Sequence, residues 1–204
     1  MHRIGTPHPT TIALAALLLA ALTTGCAGRQ SVRYTDPSRV ETVSADWGRT
    51  DIQMVAERMV SSLVRHPVIS GGQRPVVQVS RLRNKTHEHI DTKLITDKIR
   101  TALIKTGMVR FTAVSDANAE ILENLDYQST SGIVDPRTAK GVGKQIGTDY
   151  LLHGEIGSIV KRGGRQSDVY YKMTLNLVDV ETGIIEWTDE EEITKEGMRS
   201  LVGP

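Results

Sequence analysis

The chain has 204 residues, with 25 lysines and arginines against 24 aspartates and glutamates. The first 25 residues carry one charged side chain, Arg3, so the remainder is formally neutral. A neutral chain gives no support for nucleic-acid binding, which usually shows a basic excess. The single cysteine, Cys26, excludes an intramolecular disulfide and a metal site built from several cysteines.

The N-terminal segment has the order of features of an export signal. An apolar run, residues 12–22, follows Arg3 and is too short for the roughly 20 residues of a membrane-spanning helix. Small residues and then Cys26 follow, and this order resembles the lipobox of bacterial lipoproteins. An ordinary secretory signal that includes a cysteine is the alternative.

The lipobox resemblance implies how this segment is processed. Residues 1–25 would be a lipoprotein signal peptide, cut between Gly25 and Cys26, and Cys26 would carry a diacylglyceryl group and an amide-linked acyl chain such as palmitate. Several acyl chains make a stable anchor, whereas one binds only marginally. Because Ala27 rather than aspartate follows the cysteine, the resemblance implies sorting to the outer membrane, with the chain on its periplasmic face.

Residues 26–49 are polar and lack helical periodicity, which predicts a lipidated flexible tether. Trp47 is the candidate anchor where this tether meets the following domain.

Regular structure is predicted from residue 50 onward. Apolar residues at helical spacing predict a helix from Ile52 to Leu63, with Thr50 as its N-cap. A strand follows Pro75, and a second helix is predicted between an N-cap at Asp91 and a terminating Gly107. A short strand over 109–114 completes this half of the chain.

The second half predicts two more helices and three strands. One helix covers 117–127 and turns its apolar residues inward; these are Ile121, Leu122 and Leu125. The next begins at Asp135-Pro136 and ends at Gly147. Strands over 149–161 and 167–180 are joined at Gly163-Gly164, and a final strand passes through Ile185 and Trp187.

Together these elements predict an α/β fold. We expect a single sandwich domain over 50–195, with a mixed, mostly antiparallel sheet packed by helices. Residues 196–204 are predicted to be a C-terminal tail.

No motif marks an active site. His87 and His89 could offer two metal ligands, but no third ligand is evident, and a solvated loop is the preferred interpretation. The glycines of GVGKQIG do not fit a phosphate-binding pattern, and no nucleophile elbow or glycosidase-type carboxylate pair occurs. The sequence therefore predicts a protein that is not an enzyme and has no metal or cofactor.

Several stretches resemble the LpoB family of outer-membrane lipoprotein activators of penicillin-binding proteins. They are RNKTHEHIDTKLITDKIRTALIKTG, TAVSD, VGKQIGTDYLLHGEI and MTLNLVDVETGIIEWTDE, which fall within residues 47–194. The resemblance implies a domain similar to the N-terminal domain of the Tol-system propeller protein. It also implies a monomeric, non-enzymatic activator that contacts a bifunctional penicillin-binding protein and stimulates peptidoglycan synthesis. The tether is shorter than the proline-rich linker usual in this family.

The contact face is predicted on the hairpin of the two long strands. Its candidate residues are the basic tip and the exposed face of the second strand, namely Arg162, Arg165, Tyr170 and Lys172; a solvated turn is the alternative for the tip. Two other functions remain open at this point. One is an assembly or secretion lipoprotein of the curli-export type, and the other is an unrecognised hydrolase or ligand-binding module.

Overall fold

The computed structural model of the chain describes residues 33–41, 44–113 and 115–198, with the backbone alone for residues 115 and 116. Residues from Ser38 onward form one compact unit, and residues 33–36 before it have no regular secondary structure. The elements of the compact unit are α1 (Arg49–Arg65), α2 (Pro67–Ser70), β1 (Val76–Val79), β2 (Arg83–Lys85), α3 (Thr92–Thr106), β3 (Arg110–Phe111), α4 (Ser115–Thr130), β4 (Tyr150–Gly163), β5 (Gln166–Asp179) and β6 (Ile185–Met198).

The strands form one six-stranded mixed sheet. Its order is β3-β1-β4-β5-β6, and β2 also pairs with β4. β1 runs parallel to β3 and β4, β2 runs parallel to β4, and the three long strands β4, β5 and β6 are antiparallel. The predicted fold class, a mixed α/β domain packed by helices, is confirmed.

Helices α1 and α3 cover one face of this sheet, which we call the inner face. α1 buries Val55, Met59 and Leu63 against it, at the helical spacing seen in the sequence. Side chains alternate along each strand, so every second residue of β4, β5 and β6 points into this core. The buried residues of β5 are Val169, Tyr171, Met173, Leu175 and Leu177. The opposite side of the sheet is the outer face.

The ends of α3 confirm the sequence prediction, whereas the start of α1 does not. Asp91 accepts a hydrogen bond from the Lys93 backbone N–H at 2.9 Å, and Gly107 ends α3 with a φ of 70°. Thr50 was predicted as the N-cap of α1, but it lies inside the first turn. Gly48 is the N-cap, and its N–H donates to the Asp51 carboxylate at 2.8 Å.

The prediction of a helix between Asp135 and Gly147 is wrong. Asp135 does open a single turn, in which its backbone oxygen accepts from the N–H groups of Thr138 and Ala139 at 2.9 and 3.0 Å. The chain then continues without regular structure, and Gly143 has a φ of 80°. Three glycines within seven residues lower helix propensity, and residues 140–147 are all exposed, so no buried face offsets that cost.

Helix α4 exists as predicted, but its apolar residues do not enter the core. Ile121 and Leu122 are exposed, although they were expected to point inward. Ile121 lines a cleft of about 340 Å³ together with Phe111, Ile146 and Val76, the last of which lies on the outer face of β1. This helix therefore lies outside the core shared by α1 and α3 with the sheet. β3 is also shorter than the strand predicted over 109–114.

The two long strands β4 and β5 match the predicted ones within two residues at each end. They turn at Gly164-Arg165, where Gly164 has a φ of 57°. β6 continues to Met198 and so extends into the segment expected as a tail. Gly154 on β4 is required by close packing, because a Cβ there would lie 2.0 Å from the Thr174 backbone oxygen of β5.

Candidate partner-contact surface

The outer face of β4, β5 and β6 is a polar surface. Helices α1 and α3 pack on the opposite face of these strands, and the outward side chains alternate with the core residues of each strand. On β5 these are Tyr170, Lys172, Thr174 and Asn176, and on β6 they are Thr188, Glu190, Glu192 and Thr194. Ile159 of β4 adds an apolar side chain that is 57% exposed on this face and lies opposite Tyr170.

Tyr170 and Lys172, two of the predicted contact residues, lie next to each other on this outer face. Tyr170 donates a hydrogen bond to Glu192 at 2.7 Å, and this bond raises the pKa of the phenol. Lys172 forms an ion pair with Glu190, and the hydrogen bond in that pair raises the pKa of the ammonium group. Both side chains are therefore held against β6, and the charge of Lys172 is balanced by its neighbours.

The other two predicted contact residues, Arg162 and Arg165, lie at the hairpin tip. Both are exposed. Arg162 is an even number of residues away from Ile156 and Val160 along β4, so its side chain lies on the same inner side of the sheet and not on the face of Tyr170. Both arginines line a cleft with residues 44–46 of the N-terminal segment. The four candidates thus occupy two separate sides of one hairpin.

The N-terminal segment is attached to the inner face of the sheet through Trp47, the predicted anchor. Its ring packs edge-on against Tyr171 with 5.3 Å between ring centroids. The Trp47 backbone N–H donates to Glu88 at 2.9 Å, and the Tyr171 hydroxyl donates to the other oxygen of the same carboxylate. Burial and this hydrogen bond raise the pKa of Tyr171 well above its usual range.

A buried ion pair holds the start of α1 to β6. Asp51 is 2% exposed, and its Oδ2 accepts from Lys195 Nζ at 2.6 Å. Lys195 Nζ also donates to the Asp46 backbone oxygen at 2.6 Å. Segment 44–48 is therefore fixed to the sheet by Glu88 on one side and Lys195 on the other.

Sequence reasoning did not identify Glu88 as a structural residue. It lies between His87 and His89 in a loop predicted to be solvated, and nothing in its spacing distinguishes it from a surface glutamate. His87 contacts Ser158 Oγ at 2.9 Å through Nδ1, and His89 is exposed. Within the described residues, no three His, Cys, Asp or Glu side chains are arranged to hold a metal ion.

The predicted cleavage and lipidation residues, Gly25 and Cys26, lie outside the described residues. Among the helices in the described part of the chain, none is both long and apolar enough to cross a bilayer.

The fold and this surface define a mixed α/β domain with one helix-covered face and one polar face. A family model, that of the peptidoglycan-synthase activator LpoB, matches residues 51–193, so the chain belongs to the LpoB family. This is a family of outer-membrane lipoproteins that activate peptidoglycan synthases and are regulators rather than enzymes. No curated protein matches the chain.

Solved structures show weaker similarity. The C-terminal domain of LpoB from Salmonella enterica is 17% identical, with a TM-score of 0.46, over 70% of this chain and 98% of that one. The corresponding domain from Escherichia coli is 16% identical, with a TM-score of 0.45, over 71% and 99%. Lipoprotein GNA1162 from Neisseria meningitidis is 14% identical, with a TM-score of 0.40, over 62% and 86%.

Proposed function

We propose that this protein is a lipid-anchored activator that binds a bifunctional penicillin-binding protein and stimulates its glycan polymerisation and cross-linking. The observation that carries this proposal is the family match over residues 51–193. The protein would act from the outer membrane, anchored through Cys26 after removal of residues 1–25. Residues from Cys26 to about residue 38 would form the tether, since Arg39 and Glu41 already hydrogen-bond to the first residues of α1.

The proposed contact lies on the β4–β5 hairpin and includes Arg162, Arg165, Tyr170 and Lys172. Two features support this location. The outer face of the hairpin combines an exposed isoleucine, Ile159, with a tyrosine held in place by Glu192, and rigid aromatic side chains are frequent in protein interfaces. The tip adds two exposed arginines, a residue type that is also enriched in interfaces.

The test uses the full-length lipoprotein in detergent and a purified bifunctional penicillin-binding protein. We expect direct binding, measured by surface plasmon resonance, and a faster rate of glycan-chain synthesis when the activator is added. Absence of both binding and stimulation would overturn the proposed function.

Charge reversal at the hairpin tip tests the contact site. The double variant Arg162→Glu with Arg165→Glu should weaken binding at least tenfold without lowering the urea midpoint of unfolding, because both side chains are exposed. The matched control is Lys98→Glu with Lys105→Glu on α3, which makes the same change in net charge on two exposed residues elsewhere. Equal binding by the tip variant and the control would move the contact away from the tip.

A further inference from the structure

The free edge of β6 is the longest unpaired strand edge in the described part of the chain. β6 is the last strand in the sheet order, and it pairs with β5 over nearly its whole length, from Gln166↔Met198 to Val178↔Ile185. Its other edge faces no strand among the described residues. β6 contains no proline, so each of its 14 residues has a backbone N–H.

The backbone groups that point toward this edge can be assigned from one hydrogen bond. The Glu190 N–H donates to the Asp189 side chain at 2.8 Å, so it is directed away from β5. In an antiparallel pair, the direction of the N–H and C=O groups alternates along the strand. The backbone groups of the residues with the parity of Glu190 therefore also point outward; these residues are Thr188, Glu192, Thr194 and Glu196.

This edge is held rigidly, whereas the edge of an isolated hairpin is only marginally stable. On the outer face, Glu190 is bound by Lys172 and Glu192 by Tyr170. On the inner face, Glu191 is bound by Arg58 of α1, and Lys195 is bound by Asp51. Four of the six residues from 190 to 195 are thus fixed by side-chain contacts, and the edge backbone is already in the geometry that an added strand requires.

The charges on β6 decide which strand can be added. Proteins keep long strand edges from pairing with another copy by means of proline, lysine or short strands. In β6 the acidic side chains have this effect. Antiparallel pairing of two copies about Glu191 would set Glu190 opposite Glu192 and Glu186 opposite Glu196, and opposed like charges are destabilising. We call Glu190, Glu192 and Glu196 the acidic row of β6. A strand with lysine or arginine at alternate positions would instead place its positive charges beside this acidic row.

We propose that the β6 edge binds a basic strand of the peptidoglycan synthase by strand addition. This inference rests on the proposed function and deepens it by naming the element that receives the partner. Main-chain hydrogen bonds to the outward groups of β6 supply the attachment, and the acidic row selects alternating basic side chains. Tyr170 and Lys172, which belong to the proposed contact, also hold Glu192 and Glu190 of that row in place.

A proline substitution removes one of these outward N–H groups. In Thr194→Pro the lost N–H is one that does not bond to β5, and proline is tolerated at such edge positions. We expect at least a tenfold loss of synthase affinity, whereas the control Thr194→Ala, which keeps the N–H, should bind within about twofold of the unaltered protein. Circular dichroism and urea unfolding check that both variants are folded.

A second variant reverses two charges on β6 and leaves every backbone N–H in place, so it serves if Thr194→Pro fails to fold. Glu186→Lys with Glu196→Lys should also reduce affinity at least tenfold, since the partner strand is basic. In addition, hydrogen–deuterium exchange of the full-length protein should slow over residues 186–196 when the purified synthase is added.

Each result decides between the two proposals. Synthase binding that is unaffected by Thr194→Pro or by charge reversal, or exchange protection that lies outside β6, would overturn the edge site and leave the proposed function standing. No synthase binding by the unaltered protein would overturn both. Concentration-dependent dimerisation of the unaltered protein that Thr194→Pro abolishes would assign the edge to a second copy and overturn the inference.

Discussion

Glu88 connects three distant segments of the chain through one carboxylate. It accepts from the Trp47 N–H before α1 and from the Tyr171 hydroxyl on β5, while its own loop leads into α3. Tyr171 is 1% exposed, so its hydroxyl has little access to water as an alternative partner. This carboxylate therefore shares the attachment of the N-terminal segment to the sheet with Lys195, which donates to the Asp46 backbone oxygen, and with the Tyr171 hydroxyl, which also donates to the Ala45 backbone oxygen at 3.2 Å.

Replacing Glu88 with alanine should destabilise the domain. The Trp47 N–H would lose its acceptor, and the Tyr171 hydroxyl would keep only the Ala45 backbone oxygen at 3.2 Å. A buried polar group without a partner costs about 1–3 kcal/mol. We expect a corresponding decrease in the free energy of unfolding measured with urea. Glu57→Ala, at an exposed position of α1, is the control and should change it little. A Glu88→Ala variant as stable as this control would contradict the role given to the carboxylate.

Tyr171 should make stability depend on pH in the alkaline range. Burial and the Glu88 hydrogen bond raise the pKa of Tyr171 in the folded state above the value of about 10 expected in the unfolded chain. Above pH 10 the folded state then binds more protons than the unfolded state, so the free energy of unfolding falls as pH rises. The contribution of the protonated Tyr171 phenol to the free energy of unfolding is fully present below pH 10.

Urea unfolding at pH 9 and pH 11 measures this dependence. The free energy of unfolding should fall less between the two values in Tyr171→Phe than in the unaltered protein, because the variant lacks the titrating group. An equal decrease in both proteins would assign the alkaline loss of stability to other groups.

At the scale of elements, the three long strands depend on one close approach. Gly154 lies on the inner side of β4, directly against the Thr174 backbone oxygen of β5, and that oxygen cannot move without disturbing the strand pairing. Gly157 on the same strand lies on the outer face, where a Cβ would meet no atom within 4 Å. Both glycines lie inside β4, and the packing against β5 distinguishes them.

Alanine at these two glycines should therefore have opposite effects. Gly154→Ala should destabilise the domain by about 3 kcal/mol, the upper part of the range for overpacking. Gly157→Ala should be neutral or slightly stabilising, because glycine costs about 0.5–1 kcal/mol in a strand relative to alanine. Thermal unfolding followed by circular dichroism compares them, and equal melting temperatures would show that β4 and β5 are not packed as described.

At the scale of the whole molecule, the proposed lipid anchor determines where the domain acts. Changing Cys26 to serine removes the thiol that would be acylated. We expect this variant to leave the outer-membrane fraction and appear in the soluble periplasmic fraction, since the acyl chains would supply the membrane affinity. Cell fractionation followed by immunoblotting measures this, and membrane retention of Cys26→Ser would contradict the anchor.

The length of the tether should limit activation in cells but not in solution. Residues 26–38 span at most about 45 Å when fully extended. Deleting residues 28–37 should abolish stimulation of the synthase in cells and preserve it with purified proteins. A flexible Gly-Ser segment of equal length in place of 28–37 is the control and should retain both. Full activity of the deletion in cells would place the partner closer to the outer membrane than the proposal requires.

Local patterns in the amino-acid sequence were sufficient to predict part of the fold. The helical spacing of Val55, Met59 and Leu63, the cap at Asp91, the glycine that ends α3 and the alternation along β5 all follow from interactions between residues close in the chain. The resemblance to the LpoB family also came from the sequence, and the match over residues 51–193 confirmed it.

Other features depend on contacts between segments that are distant in the chain. The missing helix after Asp135, the exposed apolar face of α4 and the attachment of Glu88 to Trp47 and Tyr171 could not be predicted, because each depends on whether another segment lies within contact distance. The same reason leaves the outer edge of β6 without a paired strand among the described residues. Sheet order and the register between strands are properties of the assembled sheet, and no single strand encodes its neighbours.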